Sequence, residues 1–90
     1  MAERHQAVLE GPIGASGWSY RTARMPGQLD FISPDDEVQS VEAAGGAIVE
    51  VRPLHDAEDR EVLVLTDRTE RIYRRDDDEI WREEGMRLRK

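Results

Sequence analysis

The sequence predicts an α+β domain: a mostly antiparallel sheet of five to six strands carrying one short helix. Three observations predict it. Residues 47–83 carry short runs rich in Val, Ile, Leu, Tyr and Trp, separated by polar turns. Residues 33–46 carry the punctuation of a helix, from Ser-Pro-Asp-Asp-Glu to Gly-Gly. Ninety residues hold one domain, spanning 1–90, near the lower end of sizes that fold unaided. An all-β barrel or roll is the alternative, should residues 34–44 pair as a strand.

Residues 1–17 are weakly patterned and end in "GPIGASG", which reads as a flexible entry segment. "WSYRTAR" (18–24) alternates large and polar groups and reads as a strand, followed by a turn at Met25-Pro26-Gly27. "QLDFIS" (28–33) reads as a second strand. Ser33 then suits a helix N-cap, Pro34 the first helical position, and Asp35, Asp36 and Glu37 the positive end of the dipole. Val38, Val41 and Ala44 form a narrow apolar stripe, and Gly45-Gly46 suits the C-cap. The rival is a hairpin of "VQSVE" and "AIVEV". Valines three apart would point to opposite faces of a strand, which favours the helix.

An antiparallel meander follows. "AIVEVR" is expected to stop at Pro53, "LHDAEDR" connects, and "EVLVLT" is the strongest strand signal in the chain. Asp67-Arg68 centres a tight turn into "ERIYRR", pairing Leu63 with Ile72 and Val62 with Tyr73. Asp76 to Asp78 are expected as a three-residue loop, with Tyr73 opposite Trp81, Arg75 opposite Glu79 and Arg71 opposite Glu83. "EIWRE" closes the sheet, and "MRLRK" is an edge strand or a frayed end.

Thirteen basic residues face twenty acidic ones, for a net charge of −7. That balance argues against nucleic-acid or anionic-membrane binding. No cysteine is present, which excludes disulfides, thiolate metal sites and cysteine nucleophiles. No uncharged stretch approaches ~18 residues and no basic leader precedes an apolar run, so a cytoplasmic protein is expected. Twelve of the thirteen basic residues are arginine, and Lys90 is the one lysine. Dense carboxylate with almost no lysine reads as salt adaptation, because at molar salt the Debye length falls to about 3 Å and the carboxylates barely repel.

The run "EVQSVEAAGGAIVEVRPLHDAEDREVLVLTDRTERIYRRDDDEIWRE", about half the chain, resembles small uncharacterised acidic proteins of halophilic archaea. The resemblance is one of composition and phrasing, and it carries no catalytic or binding residue across.

Two acidic loops are candidates for a divalent cation: His55, Asp56 and Asp59 in one, Asp76, Asp77 and Asp78 in the other. Neither matches the spaced ligands and glycine of a calcium loop, and no H-E-x-x-H pair exists. No serine stands in a G-x-S-x-G elbow, and "GPIGASG" lacks the pattern of a phosphate cradle. Arg71, Arg74, Arg75, Arg82, Arg87 and Arg89 interleave with Tyr73 and Trp81, as a sheet-based RNA binder would require. The acids around them make cross-strand ion pairs the commoner explanation. Val62, Val64, Tyr73 and Trp81 share one sheet face. One short helix covers a single face, so this patch is expected either under the N-terminal third or against a second copy in a homodimer. The expectation is a non-enzymatic structural or binding module that self-associates and needs no cofactor. The alternatives are a small-ligand or divalent-metal protein using the acidic loops, or an RNA binder.

Overall fold

The computed structural model describes residues 8–22, 27–43, 46–54 and 59–89. The described residues form eight strands and no helix. They are β1 (Glu10–Pro12), β2 (Ser19–Thr22), β3 (Gln28–Ile32), β4 (Val38–Glu42), β5 (Ile48–Leu54), β6 (Glu61–Thr66), β7 (Thr69–Arg75) and β8 (Trp81–Leu88). Each set of four makes an antiparallel meander, β1-β2-β3-β4 and β5-β6-β7-β8. The architecture is therefore all-β, not α+β.

The expected helix at residues 34–44 is the point of difference. Ser33 does act as a cap, its Oγ accepting from the amides of Asp35 (3.2 Å) and Glu37 (3.0 Å). Its own amide, however, donates to the Glu37 carbonyl at 2.8 Å, and Asp36 reverses the chain at φ 67°. The cap chemistry nucleates a hairpin turn, a use that Ser and Asp share with helix starts. Beyond it, β4 pairs with β3 from Ile32↔Val38 to Gln28↔Glu42. A helix of this length with three small apolar contacts is marginal, whereas the strand completes a ladder. The two valines do point to opposite faces: Val38 is 53% exposed, while Val41 packs against the core.

The second meander follows the sequence closely. Leu63 pairs with Ile72 and Val62 with Tyr73, through the two-residue turn at Asp67-Arg68. That turn is held by Thr66 Oγ1, which accepts from the amides of Arg68 (3.3 Å) and Thr69 (3.0 Å). Strand β5 does not stop at Pro53 but continues to Leu54, with Pro53 opposite Val62. Proline is tolerated because β5 is an edge strand and needs no outward donor.

The β7–β8 loop has three residues as expected, but one position later. Arg75 lies opposite Trp81, Arg74 opposite Arg82, and Tyr73 opposite Glu83. The loop is Asp77-Asp78-Glu79, with Glu79 at φ 65°. Asp76 stays in the frame because its amide donates to the Ile80 carbonyl at 2.9 Å. Moving the loop by one residue shifts each pairing by two, so Tyr73 and Trp81 keep the same face without standing opposite. Arg71 still ion-pairs with Glu83, diagonally.

The two sheets face one another across a core that includes Trp18, Leu29 and Phe31 from the first half and Val62, Val64, Tyr73 and Trp81 from the second. Phe31 stacks on Trp81 with ring centroids 4.1 Å apart and planes 7° apart. Trp18 meets Trp81 edge-on at 5.7 Å. Ile13, fully buried, draws residues 8–17 into the fold, so part of the expected flexible entry segment is strand and core.

Tyr73 ties the sheets by donating its hydroxyl to the Glu42 carbonyl at 3.1 Å. Burial first, and then Glu83, push this hydroxyl above its ordinary value, against an opposing pull from Arg71. An acid whose folded-state value is raised contributes stability in full below the unfolded value near 10 and loses it as pH rises through the folded one. The urea midpoint is therefore expected to fall above about pH 10, and Tyr73→Phe should flatten that decline while lowering stability by about 1 kcal/mol at neutral pH. An alkaline limb as steep in Tyr73→Phe as in the parent would assign the decline to another group.

Candidate functional site

Two turns of the same construction border one cleft. In the β3–β4 turn, Ser33 Oγ accepts the amides of Asp35 and Glu37. In the β7–β8 turn, Asp76 Oδ1 accepts from the amides of Asp78 (2.9 Å) and Ile80 (3.0 Å), while Oδ2 accepts from Arg82 Nε at 2.9 Å. These bonds, led by the Ile80 amide and the Arg82 side chain, hold the Asp76 carboxyl below its ordinary value. Each turn places an acidic residue in the left-handed region at its third loop position, Asp36 and Glu79.

The cleft between the turns has a volume of about 510 Å³. Trp18, Ser33, Gln39, Arg75 and Ile80 line it, with Asp35, Glu37, Asp78 and Glu79. The size lies within the range of small-molecule sites. Gln39, on β4, fixes the two turns relative to each other. Its Nε2 donates to the Glu79 carbonyl at 2.6 Å, and its Oε1 accepts from the Trp81 amide at 2.9 Å. Gln39→Leu would leave the Trp81 N–H and Glu79 C=O without these partners, which costs roughly 1–3 kcal/mol. We expect that loss in a urea melt, and a loss below ~0.5 kcal/mol would show that water replaces the side chain.

Arg75 is the distinctive residue. It is 6% exposed, in the wall of a cleft whose other described lining residues are acidic or neutral. Its guanidinium carbon lies 5.2 Å from the Trp18 ring centroid and 5.6 Å from that of Trp81, a two-sided cation–π contact. Glu79 Oε2 comes within 2.9 Å of Nε, yet Nε and Nη1 are both buried with no hydrogen bond. The carboxylate is off the N–H axis and supplies charge rather than a hydrogen bond. Burial pulls the guanidinium below its ordinary value, Glu79 pushes it back up, and Arg60 and Asp59 act down and up more weakly. A buried cation whose donors lack hydrogen bonds is costly, and native folds retain few of them.

The sequence pattern alone puts Arg75 opposite Glu79, on the face that carries Tyr73 and Trp81. The signal that it is internal lies in the alternation of β7: Tyr73 and Arg75 are two apart and so share the face of Val62 and Val64. An arginine on the apolar face of the strongest hairpin marks the site.

The other candidate residues are distributed differently. His55 and Asp56 lie outside the described residues. Asp59 Oδ2 accepts the Ala15 amide at 3.1 Å. Both oxygens of Asp76 serve the turn, and Asp77 and Asp78 are exposed. Among the described residues no group of three or more His, Asp and Glu is arranged to hold a metal ion. Val62, Val64, Tyr73 and Trp81 are at most 3% exposed, covered by the first sheet of the same chain. A second copy could reach them only if the two sheets separated. Burial likewise removes Tyr73 and Trp81 as stacking platforms for bases. Arg74, Arg82 and Arg87 pair with Glu61 (3.4 Å), Asp76 (2.9 Å) and Glu70 (3.3 Å). No helix in the described residues is long and apolar enough to cross a membrane. No protein-family model, no curated protein and no solved structure matches the chain.

Proposed function

We propose that this protein is a small-ligand binding module, and that the cleft between the β3–β4 and β7–β8 turns receives an anionic or acceptor group of the ligand at Arg75. The single observation that carries this reading is the buried guanidinium in the cleft wall, ion-paired with Glu79 but with no hydrogen bond at Nε or Nη1. Ser33 supports it. Its Oγ already accepts two amides, which leaves the hydroxyl proton free to donate to the same ligand group. The acidic turns form the rim.

The chain's two tryptophans, Trp18 and Trp81, are the residues that flank Arg75, so intrinsic fluorescence reports directly on the site. Titration with small carboxylates and amino acids is expected to give a saturable emission change for at least one of them, and Arg75→Met should abolish it. No saturable change with any member at millimolar concentration, or an undiminished change in Arg75→Met, would remove the proposal.

A further inference from the structure

Among the described residues, four carboxylates line the cleft beside the Arg75 guanidinium: Asp35, Glu37, Asp78 and Glu79. Glu79 is committed to Arg75 by charge. Asp35 and Glu37 come from one turn and Asp78 from the other, all three are exposed, and among the described residues no other basic side chain lines the cleft. A simple anion approaching Arg75 therefore passes three carboxylates and competes with a fourth. A simple cation meets the rim favourably but leaves Arg75 Nε and Nη1 without a hydrogen bond.

We infer that the ligand is a compact zwitterion, with a carboxylate or similar anionic group at Arg75 and Ser33 and an ammonium group at Asp35, Glu37 and Asp78. The inference rests on the small-ligand reading and specifies its chemical class. Both ends are matched by groups already in place. Arg75 and Ser33 supply N–H and O–H donors to the anionic end, and the carboxylates of the rim accept from the ammonium. A ligand of zero net charge also enters an acidic mouth without long-range repulsion, which a bare carboxylate does not. Specificity then follows from difference: the acidic rim rejects the anion, and the unsatisfied guanidinium rejects the cation.

The test uses ω-amino acids of two to six carbons, each beside the alkanoic acid and the alkylamine of matching length. All are titrated at one ionic strength and followed by 15N NMR, through the Arg75 Nε–H signal and the backbone amides of residues 35–37. One chain length is expected to bind at least tenfold more tightly than its matched acid and its matched amine, shifting both sets of signals. The double variant Asp35→Asn with Glu37→Gln should shrink the tenfold preference over the acid to about twofold while leaving the Arg75 signal responsive. If an alkanoic acid binds as tightly as the best amino acid, the zwitterion class is overturned and the cleft reading stands. If an amine binds as tightly and leaves the Arg75 signal unmoved, the role of Arg75 falls as well. If no compound binds at millimolar concentration, both the inference and the reading beneath it fail.

Discussion

Trp81→Ala is expected to remove about 3–5 kcal/mol of stability, the usual cost of emptying a large aromatic site in a core. A domain of this length has on the order of 5–13 kcal/mol to lose, so the variant should be partly unfolded near 37 °C. The size of the effect follows from what the indole touches. It stacks on Phe31 of the first sheet at 4.1 Å, receives the edge of Trp18 at 5.7 Å, and faces the Arg75 guanidinium at 5.6 Å. It joins both halves of the sandwich through Phe31 and Trp18, and each aromatic pair adds ~0.5–1.5 kcal/mol beyond area burial. Urea unfolding followed by far-UV circular dichroism measures the loss, with Leu88→Ala as a control because Leu88 is 70% exposed. The control should stay within ~0.5 kcal/mol of the parent. A loss below ~1.5 kcal/mol for Trp81→Ala would show that the sheets are joined mainly elsewhere.

The parts of this structure that sequence reveals are those where one face is buried and the turn is tight. In β6 the burial alternates strictly, with Val62, Val64 and Thr66 inward, and the two-residue turn leaves a single register. Residues 33–42 resisted for a physical reason. Ser-Pro-Asp-Asp-Glu satisfies the demands of a helix start and of a side-chain-capped hairpin turn equally, and only the presence of β3 as a partner decides. The Asp76 turn shows a related ambiguity. Composition allows the loop to begin at Asp76 or at Asp77, and the choice depends on hydrogen bonds from the Asp78 and Ile80 amides to Asp76 Oδ1 that residue spacing does not encode. Both frames keep Tyr73 and Trp81 on one face, so the core was legible while the register was not. The cleft was the least visible feature. It is assembled from Trp18 just before β2, Gln39 of β4 and Arg75 of β7, which gain their roles only when the sheets stack.

Raising potassium chloride from ~0.01 M to ~1 M is expected to increase the melting temperature by roughly 10 °C. Two opposing effects set the sign. Salt weakens the exposed ion pairs of the sheet faces, such as Arg52–Glu50 at 2.7 Å, Arg74–Glu61 at 3.4 Å and Arg87–Glu70 at 3.3 Å. Exposed pairs contribute only about 0.2–1 kcal/mol each, and contacts this short are comparable to the ~3 Å Debye length of 1 M salt, so they are screened only in part. Salt also suppresses repulsion between the two acidic turns. Asp35 and Glu37 of one turn and Asp78 of the other line the same cleft, with Asp36 and Asp77 beside them in sequence, all exposed, within a chain of net charge −7. Two carboxylates about 8 Å apart in water repel by about 0.5 kcal/mol, and several such pairs together cost a few kcal/mol. A repulsion acting over such a distance is nearly abolished where the Debye length is ~3 Å, at 1 M, and persists where it is ~30 Å, at 0.01 M. Repulsion therefore decides the balance, and each kcal/mol recovered raises the melting temperature by ~4–8 °C in a domain of this size. The triple variant Asp35→Asn, Asp77→Asn, Asp78→Asn should melt higher than the parent in dilute buffer and respond less to salt. A melting temperature that stays flat or falls with potassium chloride would mean that the ion pairs outweigh the turns. The acidic rim would then have to be explained by what binds there rather than by the solvent it sits in.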